Sequence, residues 1–243
     1  MSFIKSIVAA GIVVLGSQGY HAYRRHREHE LKETWKSTVD RAAFLRQIHE
    51  EKAELYDKEM DSYEWAKRID KYRMVMCSYA EGKVLEVGIG TGRNWDFYPK
   101  SARVIGVDWS PKMLEIASSK KKPVRESLLM QMDGTKLDFP DSTFDTVLAS
   151  FMLSSSHAPQ QLLREMARVC KPGGSILILD RGRGHGILTN INIDMYRYQY
   201  LFELGYDQGM DIGTLIENAP VTISTEERKQ GGHIYFYILK PKK

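Results

Sequence analysis

The feature that most narrows what this chain can fold into is the run Lys83-Val84-Leu85-Glu86-Val87-Gly88-Ile89-Gly90-Thr91-Gly92-Arg93-Asn94. Its first five residues read as a short buried strand, and glycines at alternate positions follow before a helical pattern resumes. Glycine suits such a turn because the backbone must bend sharply, reach positive φ and let a ligand approach closer than any Cβ would permit. Strand, glycine turn and helix start together announce a nucleoside-binding α/β fold.

The spacing here is G-x-G-x-G, whereas a dinucleotide pyrophosphate site uses G-x-G-x-x-G, and Glu86 sits within the strand. A carboxylate beside the loop suits a cationic ligand better than a phosphate, and S-adenosylmethionine (SAM) carries an ammonium and a sulfonium. The next strand, ARVIGVD, ends at Asp108, where such a fold places a carboxylate on ribose hydroxyls, in agreement with either SAM or NAD. Beyond it, Trp109 and Met113 can supply apolar contacts to an adenine face, and Ser110-Pro111 opens a helix. LLMQMDG reads as a third strand with Asp133 at its end, either accepting from the adenine amino group or serving as a turn carboxylate. FDTVLASFMLSS is a fourth strand, a helix runs from Pro159 to Val169, and Pro172-Gly173-Gly174 feeds a fifth strand, SILILD. HIYFYILKPK alternates as a final strand would.

The N-terminus is of another kind. From Ser6 to Tyr23 the chain carries no Asp, Glu, Lys or Arg, about 18 residues and about 27 Å of helix, which just spans a hydrocarbon core. Tyr20 and Tyr23 fall where an aromatic belt would sit, and Arg24, Arg25 and Arg27 close the segment. The absence of a small-x-small cleavage site argues against a signal peptide, and the apolar character of every face argues against a transit peptide. A membrane anchor is expected, with the remaining chain on the cytosolic or matrix side. The charged stretch that follows carries Leu31, Trp35, Val39, Ala42, Leu45 and Ile48 on one helical stripe. It reads as a solvated spacer helix, or as a partner or membrane contact through Trp35 and Phe44. The net charge of +4 is interleaved and makes no case for nucleic acid. Cys77 and Cys170 match neither a zinc nor a disulfide spacing and are expected to be buried apolar residues.

From Tyr56 to Lys243 the chain resembles the class I SAM-dependent methyltransferases, especially those of ubiquinone and menaquinone biosynthesis. The resemblance rests on VLEVGIGTGRN, VIGVDWSPKML, MDGTKLDFPDSTFDTV and LLREMARVCKPGGSILILD in that order. YDKEMDSYEWAKRIDKYR together with the apolar N-terminus is similar to the OMS-one family of mitochondrial inner-membrane methyltransferases, and more distantly to anchored thiol methyltransferases of the endoplasmic reticulum. The resemblance implies a Rossmann-like α/β sheet with helices on both faces, preceded by a transmembrane helix (residues 1–23) and a charged helical linker (24–55), with the methyltransferase domain over 56–243. It implies SAM as cofactor, with Glu86, Gly88, Gly90 and Gly92 holding the methionine portion, Asp108 the ribose and Asp133 the adenine, while Met132 and Phe151 border the pocket. It further implies a single-pass protein of the mitochondrial inner membrane, or of the endoplasmic reticulum, acting on a small lipophilic acceptor. The alternative is a methyltransferase-fold assembly subunit of a membrane complex. Where relatives carry a glycine-cysteine pair and a tryptophan-asparagine-arginine run, this chain has Gly205-Tyr206-Asp207-Gln208-Gly209-Met210-Asp211. That departure falls on the acceptor region.

Methyl transfer is an in-line displacement at a sulfonium methyl, so positioning can supply much of the catalysis and a dedicated base is optional. His157, His185 and His233 are the candidates should the acceptor have to lose a proton, each with a plain structural alternative. His21, His26 and His29 lack a metal-binding spacing. Ile187 to Asp211 is expected to form an acceptor wall or lid, or else to pack as a core-facing helix.

Overall fold

The computed structural model describes residue 20 and residues 22–242. A seven-stranded sheet has the order β3-β2-β1-β4-β5-β7-β6, with β1 Lys83–Val87, β2 Arg103–Asp108, β3 Glu126–Gln131, β4 Phe144–Ser150, β5 Cys170–Arg181, β6 Val221–Lys229 and β7 Ile234–Pro241. β1 to β5 pair in parallel, and β7 runs antiparallel to both β5 and β6. Around the sheet lie α1 (22–37), α2 (Arg41–Lys67), α3 (Ile69–Ser78), α4 (Pro111–Ser119), α5 (Pro159–Val169), α6 (Ile187–Leu204) and α7 (Ile212–Glu217).

Central strands buried on both faces carry near-continuous apolar runs, and successive side chains divide between the two sides. Leu85, Val87, Val147 and Ile178 pack with Leu162 and Met166 of α5 and Ile212 of α7. Val84, Leu148 and Leu177 pack with Ile69, Met76 and Cys77 of α3. Both cysteines are free and buried, as their isolation in the sequence suggested.

The helices start and stop for local reasons. Asp40 caps α2 by accepting from the Ala43 N–H, and Ser110 caps α4 by accepting from that of Met113, with Pro111 at the first turn. Arg68 in the left-handed region separates α2 from α3, and Gly205 in the same region ends α6.

Three expectations need correction. The glycine run leads into turns and a short 3-10 turn at Trp95–Phe97 rather than an α-helix. Pro99 stops helix propagation, and Trp95 and Tyr98 are drawn into the core instead. The charged stretch is not a solvated spacer: Leu45 is buried with Trp109 and Leu201, and Trp35, Phe44 and Phe202 pack against them. Nor is its stripe continuous, since the chain breaks between α1 and α2 and leaves Val39 100% exposed. β6 was not anticipated, because VTISTEERK buries only Val221 and so shows no apolar alternation.

The expected division between residues 55 and 56 falls inside α2, a continuous helix of 27 residues. The expected membrane segment, residues 1–23, lies almost wholly outside the described residues. Among those described, no helix is long and apolar enough to cross a membrane.

Candidate active site

Parallel sheets bind ligands outside the carboxyl ends of their strands, where loops diverge at a topological switch point. Here β1 sits between β2 and β4, and a cavity of about 60 Å³ lies at that edge. Gly88, Gly90, Asp108, Trp109, Met113 and Phe151 from the expected set line it. Gly90 has φ +54°, and a Cβ built there would meet no atom within 4 Å, so the loop is open on its cavity side. Gly88 and Gly92 are closed in the opposite sense: a Cβ would fall 2.3 Å from the Met152 sulfur and 2.2 Å from the Trp95 ring nitrogen respectively.

Asp108 accepts from the backbone N–H groups of Gly90 and Ser110, both at 2.9 Å. Burial pushes its carboxyl up to about 6 against those hydrogen bonds. Glu86 takes a different position. It is 1% exposed, absent from the cavity wall, and accepts from Asn94 Nδ2 at 2.7 Å and the Tyr98 hydroxyl at 2.6 Å. Burial raises it to about 7, with the Tyr98 and Asn94 hydrogen bonds opposing. It therefore shapes the loop from beneath. Asp133 accepts from the N–H and hydroxyl of Thr135, a turn arrangement, and faces a second hollow that it shares with Trp109, Arg46 and Glu50. Met132 and Gly92 also lie outside the cavity wall; Met132 packs against the α5 side of the core.

Both hollows are lined by α2 and by Trp109. His49 lies 5.8 Å from the Trp109 ring centroid, Arg46 Nη2 donates to the Trp109 carbonyl at 3.4 Å, and the Ser110 hydroxyl donates to Glu50. Further along, Asp57 accepts from the Thr91 hydroxyl at 2.6 Å and pairs with Arg93 at 3.0 Å and Lys120 at 2.5 Å. Glu64 pairs with Arg93 at 3.1 Å and with the buried Arg73 at 2.7 Å. Burial would raise the Glu64 carboxyl, but the two guanidiniums outweigh it and hold the group below its usual range. The helix is thus latched over the glycine loop by carboxylates.

The far wall comes from β4, β5 and the loop after α6. Phe151 has φ +57° and follows β4, Arg181 ends β5, and Tyr206 follows α6. None of the candidate histidines reaches the cavity wall. His157 stacks on Trp109 at 5.8 Å and 9°, the His233 ring contacts the Gly182 carbonyl, and His185 is exposed. Reasoning from sequence passed over His49, Tyr56, Met152 and Arg181. For Arg181 a signal existed, a charge at the carboxyl end of the buried run ILILD. For the α2 residues there was none.

The residues present fit SAM by the chemistry of the donor set: an open glycine for close approach, a carboxylate for ribose and an indole beside it. The cavity at the glycine loop is small, about 60 Å³, whereas the hollow beside Asp133 on the other side of Trp109 measures about 570 Å³.

A methyltransferase domain model matches residues 85–178. A Cereibacter sphaeroides phosphatidylethanolamine N-methyltransferase is 42% identical over 124 residues, covering 49% of this chain and 60% of that one. The Saccharomyces cerevisiae mitochondrial methyltransferase OMS1 is 27% identical over 215 residues, covering 80% of this chain and 46% of that one. The chain therefore spans only about half the length of these curated relatives. A solved SAM-dependent methyltransferase from Thermotoga maritima shares the fold, with a TM-score of 0.63 at 21% identity over 81% of this chain and 99% of that one. Glycine loop, strand order and matched domain agree: residues 85–178 carry a methyltransferase domain, and the sheet has the fold of the solved SAM-dependent methyltransferase.

Proposed function

We propose that the protein transfers a methyl group from SAM to a small lipophilic acceptor at the carboxyl edge of its sheet. The observation that carries this reading is the convergence of Gly88, Gly90 and Asp108 on one cavity with Trp109 and Met113. SAM bound there supplies an electrophilic sulfonium methyl. Gly90 permits close approach of the methionine portion, Asp108 accepts from the ribose hydroxyls, and Trp109 and Met113 flank the adenine. Asp133 and Met132 serve the adenine end, while Glu86 and Gly92 keep the loop in shape and Phe151 borders the methyl side. No base is assigned.

The same reading puts residues 1–23 in a membrane as a single-pass anchor, with 24–55 as cover and connector in one and the catalytic domain over 56–243. Support for a bilayer contact comes from Ile187, Leu188 and Ile191 of α6, exposed next to a groove shared with Arg25 and His29 of α1. The lipid named for the Cereibacter relative supports a lipophilic acceptor, and the location named for the yeast relative favours a mitochondrial membrane over the endoplasmic reticulum. The carboxylate latch on α2 favours a second reading, a methyltransferase-fold subunit of a membrane complex without turnover. Calorimetry of the full-length protein in detergent with S-adenosylhomocysteine and NAD, followed by methyl transfer from labelled SAM into membrane extracts, decides among them. Tighter binding of NAD overturns the cofactor assignment, and cofactor binding without any labelled product selects the non-catalytic reading.

A further inference from the structure

Arg181 is 2% exposed, yet its Nε and Nη1 have no hydrogen-bond partner. A buried charge without a partner is costly, so such a group is kept only where something compensates it. Part of that compensation is aromatic. The guanidinium carbon lies 4.2 Å from the Tyr206 ring centroid, 4.4 Å from that of Phe151 and 5.0 Å from that of Tyr63. Ring quadrupoles attract a cation but accept no conventional in-plane hydrogen bond. The N–H donors at Nε and Nη1 thus remain available to an oxygen acceptor.

The neighbouring acid does not serve them. Asp180 accepts from the Leu153 backbone N–H at 2.8 Å and from the backbone N–H of Arg181 itself at 2.8 Å. Consecutive strand residues face opposite sides of a sheet, which keeps the carboxylate away from the guanidinium. Among the described residues, no carboxylate oxygen comes within 4.0 Å of the Arg181 guanidinium.

Place on the sheet separates this cation from the nucleoside. The ribose carboxylate Asp108 ends β2, on one side of β1, whereas Arg181 ends β5, two strands to the other side. At about 4.8 Å per strand that puts roughly 10 Å between the β1 and β5 backbones. With Asp108 on the ribose, the nucleoside would lie toward β2, which leaves the β5 end to the acceptor.

We infer that Arg181 binds an anionic oxygen group of the methyl acceptor, a carboxylate or a phosphate, with Tyr206, Phe151 and Tyr63 holding the guanidinium in place. The inference rests on the methyltransferase reading and narrows its acceptor to an apolar molecule with an acidic group near the methylated atom. A planar guanidinium meets a carboxylate or phosphate by paired hydrogen bonds, which a lysine ammonium does not reproduce.

Benzoate and inorganic phosphate are suitable probes, titrated calorimetrically into the full-length protein with and without S-adenosylhomocysteine. Wild type should bind at least one of them, Arg181→Met should weaken that binding at least tenfold, and Arg181→Lys should restore part of it. Arg181→Met gives up three ring contacts and sheds a buried charge whose Nε and Nη1 are unpaired, two effects that oppose each other, so its melting temperature should stay within a few degrees of wild type. Should that variant fail to fold, Arg181→Lys carries the test, with weakened anion binding and unchanged cofactor affinity as its expected result. Failure of wild type to bind either anion, or equal binding by a folded Arg181→Met, overturns the inference. So does an Arg181→Met variant that loses S-adenosylhomocysteine but keeps methylthioadenosine, since the guanidinium then serves the cofactor's own carboxylate. If wild type binds an anion that Arg181→Met loses but binds no S-adenosylhomocysteine, the methyltransferase reading fails and the anion site stands.

Discussion

The two halves of the cavity are built on different terms. In the half formed by β1 and β2, the carboxylates are answered within the chain: Asp108 by Gly90 and Ser110, Glu86 by Asn94 and Tyr98, Asp57 and Glu64 by Arg93. In the half formed by β4, β5 and the loop after α6, Arg181 keeps donors without acceptors among aromatic rings. A half that answers itself is rigid, and its loop geometry is set before any ligand arrives. A half left unanswered depends on what enters it. The difference suits a cofactor site that is constant and an acceptor site that is particular to this chain.

The largest effect is expected where the answered half is tied to its cover. Arg73 pairs with Glu64, donates to Asn94 at 2.8 Å and to Ser150 at 3.1 Å, and is 4% exposed. Arg73→Met leaves Glu64 with Arg93 alone and Asn94 one donor short, and should cost about 3 kcal/mol of stability, as removal of one member of a buried pair does. Denaturant unfolding checks it. A loss below about 1 kcal/mol would mean that α2 is not latched through this network. The latch should also weaken in acid. The depressed Glu64 carboxyl contributes stability that is present above its ordinary value of 4.5 and is lost as pH falls through the lower folded value.

Next in size is the loop itself. Gly90→Val points a branched side chain into the cavity without a clash inside the fold, so S-adenosylhomocysteine affinity should fall about 100-fold, equal to about 2.7 kcal/mol. The left-handed φ should also lower stability by about 1 to 2 kcal/mol. Gly92→Ala should do the reverse, since its Cβ meets Trp95. A larger loss of stability than of affinity is expected there. If Gly90→Val binds normally, the cofactor does not approach this loop.

Much of this was legible beforehand, and the reason is locality. β1, its glycines and Asp108 are separated by few residues, and turn chemistry and strand burial leave marks on neighbouring positions. α5 was read from Pro159 to Val169 as observed. The placement of Glu86 beneath the loop was not legible, because Asn94 and Tyr98 reach back to it only after the expected helix is replaced by turns. The acceptor half assembles from Tyr63, Phe151, Arg181 and Tyr206, which lie far apart along the chain. No periodicity records such a meeting. The same holds for α2, whose charges read as solvated until Asp57 and Glu64 are seen to face Arg93.

A smaller effect should come from pH. Burial raises the Asp108 carboxyl from 3.8 to about 6. The folded state therefore holds a proton that the unfolded state has released between those values, and this group's contribution to stability falls as pH rises across them. Cofactor affinity should move the other way, because ribose hydroxyls need the ionised carboxylate as acceptor. S-adenosylhomocysteine should bind roughly tenfold more tightly at pH 7.5 than at pH 5, at most a tenfold change per pH unit below the carboxyl's own value. Affinity that is flat across that range would remove Asp108 from the ribose.

The smallest effect tests which part of Tyr206 the acceptor half uses. The side chain is 8% exposed, its ring stacks on Tyr200 at 5.6 Å and 19°, and the Arg181 guanidinium lies over its face. A cation over an aromatic face is held by the ring quadrupole, which phenylalanine keeps. Tyr206→Phe should therefore change stability by no more than about 0.5 kcal/mol and leave methyl transfer into membrane extracts within about twofold of wild type. Tyr206→Leu removes the quadrupole while filling much of the space. It should lose about 1 to 2 kcal/mol, the range of a desolvated cation–aromatic contact, and turnover should suffer with it because Arg181 is no longer held. Equal losses in the two variants would assign the role to the hydroxyl. A stable Tyr206→Leu protein with normal turnover would take the residue out of the acceptor wall altogether and leave Arg181 to Phe151 and Tyr63.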